Sequence, residues 1–270
     1  MKNLVLTAAT SLDINEVKRF VISFRKYNTV DDLVLIVSED DIKTFEPELK
    51  GYNVKYTLFE AYKALKTSII NSRYYKYLDF IYDNNEYNQI LLTDCRDVFF
   101  QDNPFNHITY DSIYFIEEER CQTIGTNEYN SKWIRWCYDS HIFSKLQNKP
   151  ILCAGVVIGS KQNIITYIKH MIYKITKMLK DYDHVRYLGV FDQGISNYLL
   201  YESSNLFKNP TILQNGTLAL HSSLTLRCCK EKIRMNDGCI YYNDNKPVIV
   251  HQYTVSDNIT EYVDHIIESY

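Results

Sequence analysis

The sequence predicts a single α/β domain with a Rossmann-like first half and a mixed sheet in its second half. Strongly apolar runs occupy residues 4–10, 33–38 and 89–94, and amphipathic stretches separate them. Strands that alternate with helices indicate a parallel sheet with crossover connections. The 270 residues contain no internal repeat and no linker rich in Gly and Ser, so we expect one domain over 1–270.

The first strand, 4–10, precedes a helix whose apolar residues, from Ile14 to Phe24, fall on one face. Asp13 or Ser11 would cap that helix. Residues 33–38 are almost continuously apolar, as expected for a parallel strand that is covered on both faces. The remaining elements predicted in the first half are a strand over 54–59, a helix over 62–82 and a buried strand over 89–94.

The second half is less regular and mixes short strands with helices. Two glycines in its strand over 151–160 indicate a bend, or a place where another group approaches the backbone closely. Glu117, Glu118 and Glu119 are expected at a solvated strand end, and the six histidines other than His251 are expected to be structural or exposed. The predicted strands are 112–119, 151–160, 217–220, 239–242 and 248–251, and the predicted helices are 132–146, 164–179 and 192–201.

The composition limits the class of protein. Lys and Arg total 30 against 33 for Asp and Glu, and the net charge of −3 gives no electrostatic footprint for nucleic acid or an anionic membrane. No run approaches the roughly 20 apolar residues that span a bilayer, so no transmembrane segment is expected, and no secretory signal opens the chain. Seven cysteines, an odd number without a CxxC pair, favour reduced thiols in a cytoplasmic protein over a disulfide framework.

The segment LLTDCRDVFFQDNPF, residues 91–105, carries the strongest chemical signal. Asp94 and Asp97 follow a buried apolar strand, and ligands collect at the carboxyl ends of strands in open parallel sheets. Two carboxylates at this spacing suit a hard divalent cation that also binds a substrate phosphate. The same residues would equally suit an N-cap pair with an ion pair between Asp94 and Arg96.

This segment resembles the metal-binding region of GT-A-fold glycosyltransferases, which use nucleotide-sugar donors. Their usual pattern is a strand, then Asp-x-Asp, a few apolar residues and often Asn-Pro-Phe. Counting back from Asn103-Pro104-Phe105 places Asp97 on the second, metal-binding aspartate and Cys95 on the first. The chain therefore has Asp-x-Arg-Asp in place of Asp-x-Asp, and this motif is similar to that of a subgroup of these enzymes.

Three later segments resemble the same family in the same order. Residues 153–160, CAGVVIGS, resemble the segment that lines the donor-sugar and acceptor pocket, and 192–197, DQGISN, resembles an element near the reacting centre. His251, which follows the strand VIV, resembles the C-terminal histidine that completes the metal site in some branches. The resemblance implies that Asp94, Asp97 and His251 hold Mn²⁺ or Mg²⁺.

The resemblance also implies catalytic and donor-binding residues. Asp192 would take the acceptor's proton in an inverting enzyme, and in a retaining enzyme Asp192 or Gln193 would contact the reacting face of the sugar. The implied donor-binding residues are Thr7, Ala8, Ala9, Thr10, Arg73, Asp94, Cys95, Arg96, Ala154 and Gly155. Residues 7–10 would equally suit a plain strand-to-helix turn, and Arg73 would equally suit a solvated helix charge.

These observations together predict a metal-dependent glycosyltransferase with a nucleotide-binding half, 1–105, and an acceptor half, 106–270. The donor would be a nucleoside-diphosphate sugar, most favourably a UDP-sugar, and the acceptor a hydroxyl of a glycan or glycoconjugate. One alternative is a nucleotidyltransferase, although TAATSLDIN lacks the Gly-rich basic loop that such enzymes place after the first strand. The other is a non-catalytic glycan-binding relative, because Cys95 replaces the usual aspartate.

Overall fold

The structure, a computed structural model, describes residues 2–59, 67–181 and 191–270. The predicted start of a helix at Tyr62 and the histidine His184 lie outside these ranges. The described strands are β1 (Lys2–Ala8), β2 (Asp32–Val37), β3 (Val54–Leu58), β4 (Tyr87–Thr93), β5 (Val98–Phe100), β6 (Ile113–Glu117), β7 (Leu152–Ser160), β8 (Pro210–Leu213), β9 (Ala219–His221), β10 (Ile233–Asn236), β11 (Cys239–Tyr242) and β12 (Ile249–His251). The described helices are α1 (Ile14–Tyr27), α2 (Glu39–Glu48), α3 (Ile69–Asp83), α4 (Glu128–Cys137), α5 (Ser140–Leu146), α6 (Lys161–Asp181), α7 (Asp192–Ser203), α8 (Ser222–Cys228) and α9 (Asp257–Glu268).

The main sheet has seven strands in the order β3-β2-β1-β4-β7-β6-β8. Strands β1 to β4 run parallel to one another. Strand β7 is antiparallel to β4, β6 is antiparallel to β7, and β8 is parallel to β6. The predicted α/β class with a mixed sheet is therefore confirmed. Strands from both halves of the chain pair within this one sheet.

Local sequence signals explain why the first helix and its neighbouring strand form where they do. Asp13 accepts a hydrogen bond from the Asn15 backbone amide, and Glu16 reaches back to the Asp13 amide in a capping box. Of the two predicted caps, the structure thus uses Asp13. Every residue of β2 is buried, as expected for a parallel strand with both faces covered.

Successive residues of β1 face two separate hydrophobic cores. Leu4 and Leu6 pack in the core that contains buried residues of α3, α6 and α7. Val5 points to the opposite face, where residues of α1 form the second core. This alternation gives three layers, with helices on both faces of the sheet.

A second, small sheet lies against the carboxyl end of β4. Its order is β5-β12-β9, with β12 antiparallel to β5 and parallel to β9. The Gln252 amide extends this pairing by donating to the Asp97 carbonyl at 2.8 Å. Val250 and Tyr253 anchor the sheet in a core shared with α9. The strand that ends at His251 is consequently fixed beside the residues that follow β4.

Several elements differ from the sequence prediction. The single helix expected over 132–146 is two helices, α4 and α5, because the side chain of Asp139 caps α5 by accepting from the Ile142 amide. The sequence patterns also did not predict α2, α8 or α9. Across the described parts of the chain, every helix is too short or too polar to cross a membrane.

The expectation of reduced thiols is wrong for two cysteines. Cys121, in the segment after β6, forms a disulfide bond with Cys228 at the end of α8. The two residues are 107 positions apart, so no local spacing could have indicated the pair. Cys95, Cys137 and Cys153 are free and buried, as expected.

Reduction of the Cys121–Cys228 bond should lower the free energy of unfolding by roughly 2–4 kcal/mol, because a long closed loop restricts the unfolded chain. Chemical denaturation with and without reductant measures this loss, and Cys228→Ser should reproduce it under oxidising conditions. Cys229→Ser is the matched control, since Cys229 is an unbonded neighbour. Equal stability of the oxidised and reduced chains would contradict the prediction.

Candidate functional site

The candidate site lies where the carboxyl end of β4 meets the small sheet. Asp94 directly follows β4, and its backbone amide donates to the Gly155 carbonyl of β7 at 2.9 Å. Asp97 directly precedes β5. In β12, His251 pairs with Val98 of β5 on one side. The strand pairing therefore brings a residue from the far end of the chain next to both aspartates.

Asp94, Asp97 and His251 converge on one point. The Nε2 atom of His251 lies 3.4 Å from Asp94 Oδ2 and 3.4 Å from Asp97 Oδ1. One donor atom from each residue lies within 4.8 Å of the other two. His251 is buried, whereas 34% of the Asp94 side chain and 20% of the Asp97 side chain remain exposed. The cluster thus opens to solvent on the carboxylate side.

The charges of this cluster shift two pKa values in opposite directions. Burial by itself raises the pKa of Asp94, but the positive charges of Arg73 and His251 outweigh it and hold that pKa well below its ordinary range. Burial lowers the pKa of His251, but the carboxylates of Asp97 and Asp94 outweigh it and raise that pKa well above its ordinary value. Without a bound cation, the ring is therefore protonated on both nitrogens and positively charged at neutral pH.

The donor set fits a divalent cation. The buried Nε2 atom of His251 makes no hydrogen bond of good geometry to any described residue, although it faces two carboxylate oxygens. Both carboxylate oxygens lie farther from Nε2 than in a short hydrogen bond. The three atoms are therefore suited to bind one metal ion together. Oxygen and imidazole ligands are those that Mn²⁺ and related ions accept.

Gly155 keeps this space open. A Cβ atom added there would lie 2.7 Å from Asp94 Oδ2 and 2.9 Å from His251 Nε2. Strand β7 must therefore present a glycine at this point, which gives a physical reason for one of the two glycines noted in the sequence. The neighbouring Ala154 is buried, and its amide donates to Gln193 Oε1 at 3.3 Å.

Arg73 connects the candidate metal site to the start of α7. Its guanidinium is buried and forms ion pairs with Asp94 and, at 3.0 Å, with Asp192 Oδ2. Tyr74 also donates to Asp192 Oδ2 at 3.0 Å. Burial raises the pKa of Asp192 above its ordinary value, and the charge of Arg73 offsets part of that rise. Arg73 is therefore a buried, paired cation and not a solvated helix charge.

Gln193 is held in a separate polar network. Its Nε2 atom donates to Glu118 Oε1 and to Asn130 Oδ1, each at 3.0 Å. Asn197, one turn further along α7, bridges the backbone of Leu152 through both its amide atoms. This helix is therefore fastened to β7 by side-chain amides at both positions.

The expectation that residues 117–119 form a solvated strand end is wrong. All three glutamates are buried, because each has a polar partner. Glu117 pairs with Arg120, Glu118 accepts from Gln193, and Glu119 binds Lys232 and Tyr242. Burial raises the pKa of Glu118, and the hydrogen bond from Gln193 offsets part of the rise.

A cavity of about 430 Å³ adjoins the carboxylates. It brings together seven of the fourteen site residues predicted from the sequence, and Thr7 and Ala9, outside it, are fully buried in the protein. The other predicted residues that do not line it are Ala154, Gly155, Asp192, Gln193 and His251. Arg96 lines it but forms its ion pair with Glu16, at 3.2 Å, and not with Asp94. The lining residues are Ala8, Thr10, Ser11, Leu12, Ile69, Ile70, Arg73, Asp94, Cys95, Arg96 and Asp97.

Sequence reasoning missed three residues that contact the site. Asp41 of α2 accepts from Thr10 Oγ1 at 3.1 Å and so fixes one wall of the cavity. Glu118 binds Gln193, as described above. His221 of β9 lies beside His251, with 3.0 Å between their Nδ1 atoms. Only the parallel pairing of β9 with β12 reveals His221, since the two histidines are far apart in the sequence.

Two solved structures share this architecture over most of the chain. Mouse xyloside xylosyltransferase 1 in its apo form superimposes with a TM-score of 0.54 at 12% identity, covering 93% of this chain and 97% of that one. Galactosyltransferase LgtC, in complex with donor and acceptor sugar analogues, superimposes with a TM-score of 0.58 at 14% identity, covering 98% and 95%. No family model and no curated protein matches the sequence. At these identities the likeness shows the fold alone, and the chain has the GT-A type of glycosyltransferase fold that its motifs predicted.

Gly155→Ala should abolish Mn²⁺ binding, because the added methyl group would displace His251 or Asp94. Calorimetric titration of Mn²⁺ into the purified chain measures the effect. Gly159→Ala is the matched control, since a Cβ atom there would lie 2.6 Å from the Ser112 carbonyl, in the same strand but outside the site. Both variants should lose about 1–3 kcal/mol of stability through overpacking. Mn²⁺ binding by Gly155→Ala at wild-type affinity would contradict the assignment.

Proposed function

We propose that this protein is a divalent-cation-dependent glycosyltransferase that moves a sugar from a UDP-sugar to a hydroxyl of a glycan or glycoconjugate. The proposal is carried by the convergence of Asp94, Asp97 and His251 beside the cavity at the carboxyl end of β4. In open α/β sheets, ligands bind at this edge. The likeness to a xylosyltransferase and a galactosyltransferase over nearly the whole chain supports the same class of reaction.

In this proposal Asp94, Asp97 and His251 hold the cation. When bound, a divalent cation neutralises the negative charge that develops on the leaving diphosphate. The histidine favours Mn²⁺ over Mg²⁺, because Mg²⁺ is usually bound through oxygen atoms alone. Arg73, already paired with Asp94, places a second positive charge at the edge of the same cavity.

The wall formed after β1 would accept the nucleoside. Ala8 and Thr10 line the cavity, and their small side chains leave space for a base and ribose. Thr7 and Ala9 are buried, so their contribution would be to the shape of the backbone at that turn. Cys95 and Arg96 also line the cavity, and they lie between Asp94 and Asp97 along the chain.

Asp192 and Gln193 would act at the sugar end of the site. Asp192 Oδ2 is already bound to Arg73 and Tyr74, and its Oδ1 accepts from the Gln193 amide at 2.8 Å. These contacts favour a role for Asp192 in orienting Arg73. Gln193 is bound to Ala154, the neighbour of Gly155, which supports a position near the transferred sugar. A general-base role for Asp192 stays a prediction, as do the donor-binding roles of Ala154 and Gly155.

The predicted cytoplasmic location also stays a prediction. The disulfide bond between Cys121 and Cys228 counts against it, because disulfides persist mainly in oxidising compartments.

The deciding experiment measures UDP binding with and without Mn²⁺, then hydrolysis of UDP-glucose, UDP-galactose and UDP-xylose. The wild-type chain should bind UDP far more tightly with Mn²⁺. Asp97→Asn should lose roughly 30-fold or more of that affinity, since removing one partner of a desolvated charge pair costs about 2 kcal/mol or more. Asp102→Asn is the matched control, because Asp102 lies in the same segment and pairs with His107 outside the site.

The outcomes separate the proposal from its alternatives. Metal-dependent hydrolysis of one UDP-sugar would support a transferase. Binding of UDP-sugars without turnover in the presence of glycan acceptors would indicate a non-catalytic relative. Release of pyrophosphate from a nucleoside triphosphate and a sugar phosphate would indicate a nucleotidyltransferase. Unchanged UDP affinity in Asp97→Asn would remove the metal-site assignment.

The affinity for Mn²⁺ should rise with pH through the neutral range. The pKa of His251 is raised, so a proton must leave Nε2 before that atom binds a cation. Below the raised pKa, the affinity should gain about tenfold per pH unit, the slope for one displaced proton. Calorimetry in two buffers of different ionisation enthalpy counts the proton directly. His251→Gln should bind Mn²⁺ weakly and without this slope, and a wild-type affinity independent of pH would refute the role of His251.

A further inference from the structure

Behind the carboxylates, the second nitrogen of His251 faces another group of donor atoms. His251 Nδ1 lies 3.0 Å from His221 Nδ1 and 3.6 Å from Cys153 Sγ. One donor atom from each of the three residues lies within 4.8 Å of the other two. The proposed transferase reaction uses neither Cys153 nor His221. His251 is therefore shared between two clusters of different chemistry.

This second cluster is completely enclosed. Cys153 is 1% exposed, His221 is 0% exposed and His251 is 1% exposed. The three residues come from β7, β9 and β12, so the two sheets hold them in place from both sides. Among the described residues, the Nε2 atom of His221 has no hydrogen-bond partner. Burial lowers the pKa of His221 well below its ordinary value, which leaves the ring neutral.

The donor types favour a soft cation. One thiolate and two imidazoles form a ligand set typical of Zn²⁺, whereas carboxylates suit Mn²⁺ and Mg²⁺. Around tetrahedral zinc with ordinary bond lengths, neighbouring ligand atoms are roughly 3.3–3.6 Å apart. The two separations given above, 3.0 and 3.6 Å, lie close to that range.

We propose that Cys153, His221 and His251 form a second, buried metal site that binds a soft divalent cation of the Zn²⁺ class. Binding releases two protons to solvent, the thiol proton of Cys153 and one of the two ring protons of His251. Sγ and one nitrogen of each ring supply three ligands, and a water molecule would supply the fourth.

Occupancy of this site has a consequence for the carboxylate site, which rests on the proposed function. A neutral imidazole has one lone pair and one N–H group. When Nδ1 of His251 binds zinc, Nε2 keeps the hydrogen and donates toward Asp94 and Asp97. His251 is then unable to bind a cation through Nε2, so zinc at the buried site opposes Mn²⁺ at the exposed one.

Cobalt tests the buried site without reference to activity. Co²⁺ is titrated into the full chain after treatment with a chelator, and absorption reports a thiolate-to-cobalt charge-transfer band together with the visible bands of tetrahedral cobalt. The wild-type chain should show both and bind one zinc ion that displaces the cobalt. Cys153→Ser should lose the charge-transfer band, and His221→Ala should lose the tetrahedral bands. Cys137→Ser is the matched control, since the thiol of Cys137 is buried and lies against the Phe191 carbonyl instead.

A result on the wild-type chain is sufficient to overturn the proposal. Cobalt binding without a thiolate band would mean that His221 serves only as a hydrogen-bond partner that orients His251. A band that survives in Cys153→Ser or disappears in Cys137→Ser would also overturn it. Retention of the band in Asp97→Asn would support a site that is independent of the carboxylates.

A second measurement tests the competition. Loading with one equivalent of Zn²⁺ should lower the Mn²⁺ affinity of the wild-type chain by at least about tenfold. In Cys153→Ser, the ratio of the Mn²⁺ affinities with and without Zn²⁺ should be one. An unchanged ratio in the wild type would overturn the competition. A chain that shows the cobalt band but never binds Mn²⁺ or UDP would refute the proposed function and leave the buried site standing.

Discussion

The close approach of β12 to β7 determines the arrangement of the whole candidate site. At this contact Gly155 has no side chain, and the ring of His251 occupies the space that a Cβ atom would need. Hydrogen bonds from β12 to both β5 and β9 fix the strand, so the fold sets the position of the ring, and contacts of Nδ1 with His221 and Cys153 add to this. Because β5 begins immediately after Asp97, the same pairing sets the distance from His251 to that carboxylate.

The charges around this contact explain why the site is suited to a cation. Asp94 and Asp192 share one buried guanidinium, that of Arg73, and Asp97 adds a third carboxylate on the other side of Asp94, beside His251. Buried charges are costly unless they are paired, and Arg73 cannot neutralise all three. The excess negative charge raises the pKa of His251 and would equally stabilise a divalent cation. A proton on His251 and a metal ion are therefore alternative ways to satisfy the same charge.

Short-range patterns predicted much of the fold. Three of these patterns are local: the continuous apolar run of β2, the capping box of α1 and the buried strand before Asp94. The last of them places the carboxylates at the edge of the sheet where the parallel strands have their carboxyl ends. Patterns failed where a polar residue has a distant partner. Glu118 looked solvated because its neighbours are charged, yet Gln193, 75 positions away, satisfies it in the interior. Cys121 and Cys228 could not be paired from spacing for the same reason.

By itself the sequence predicted the class of fold and the aspartate pair that follows β4, because buried strands and strand-end residues leave a local signature. The candidate histidine at the end of β12 came from the resemblance to a family and not from its local pattern. Only the tertiary structure decided that Arg73 is buried between Asp94 and Asp192, and that His221 and Cys153 meet the other side of His251. These contacts join β7, β9, β12, α3 and α7, elements that are distant along the chain. Strand pairing and packing bring them together, and neither is encoded in the spacing of neighbouring residues.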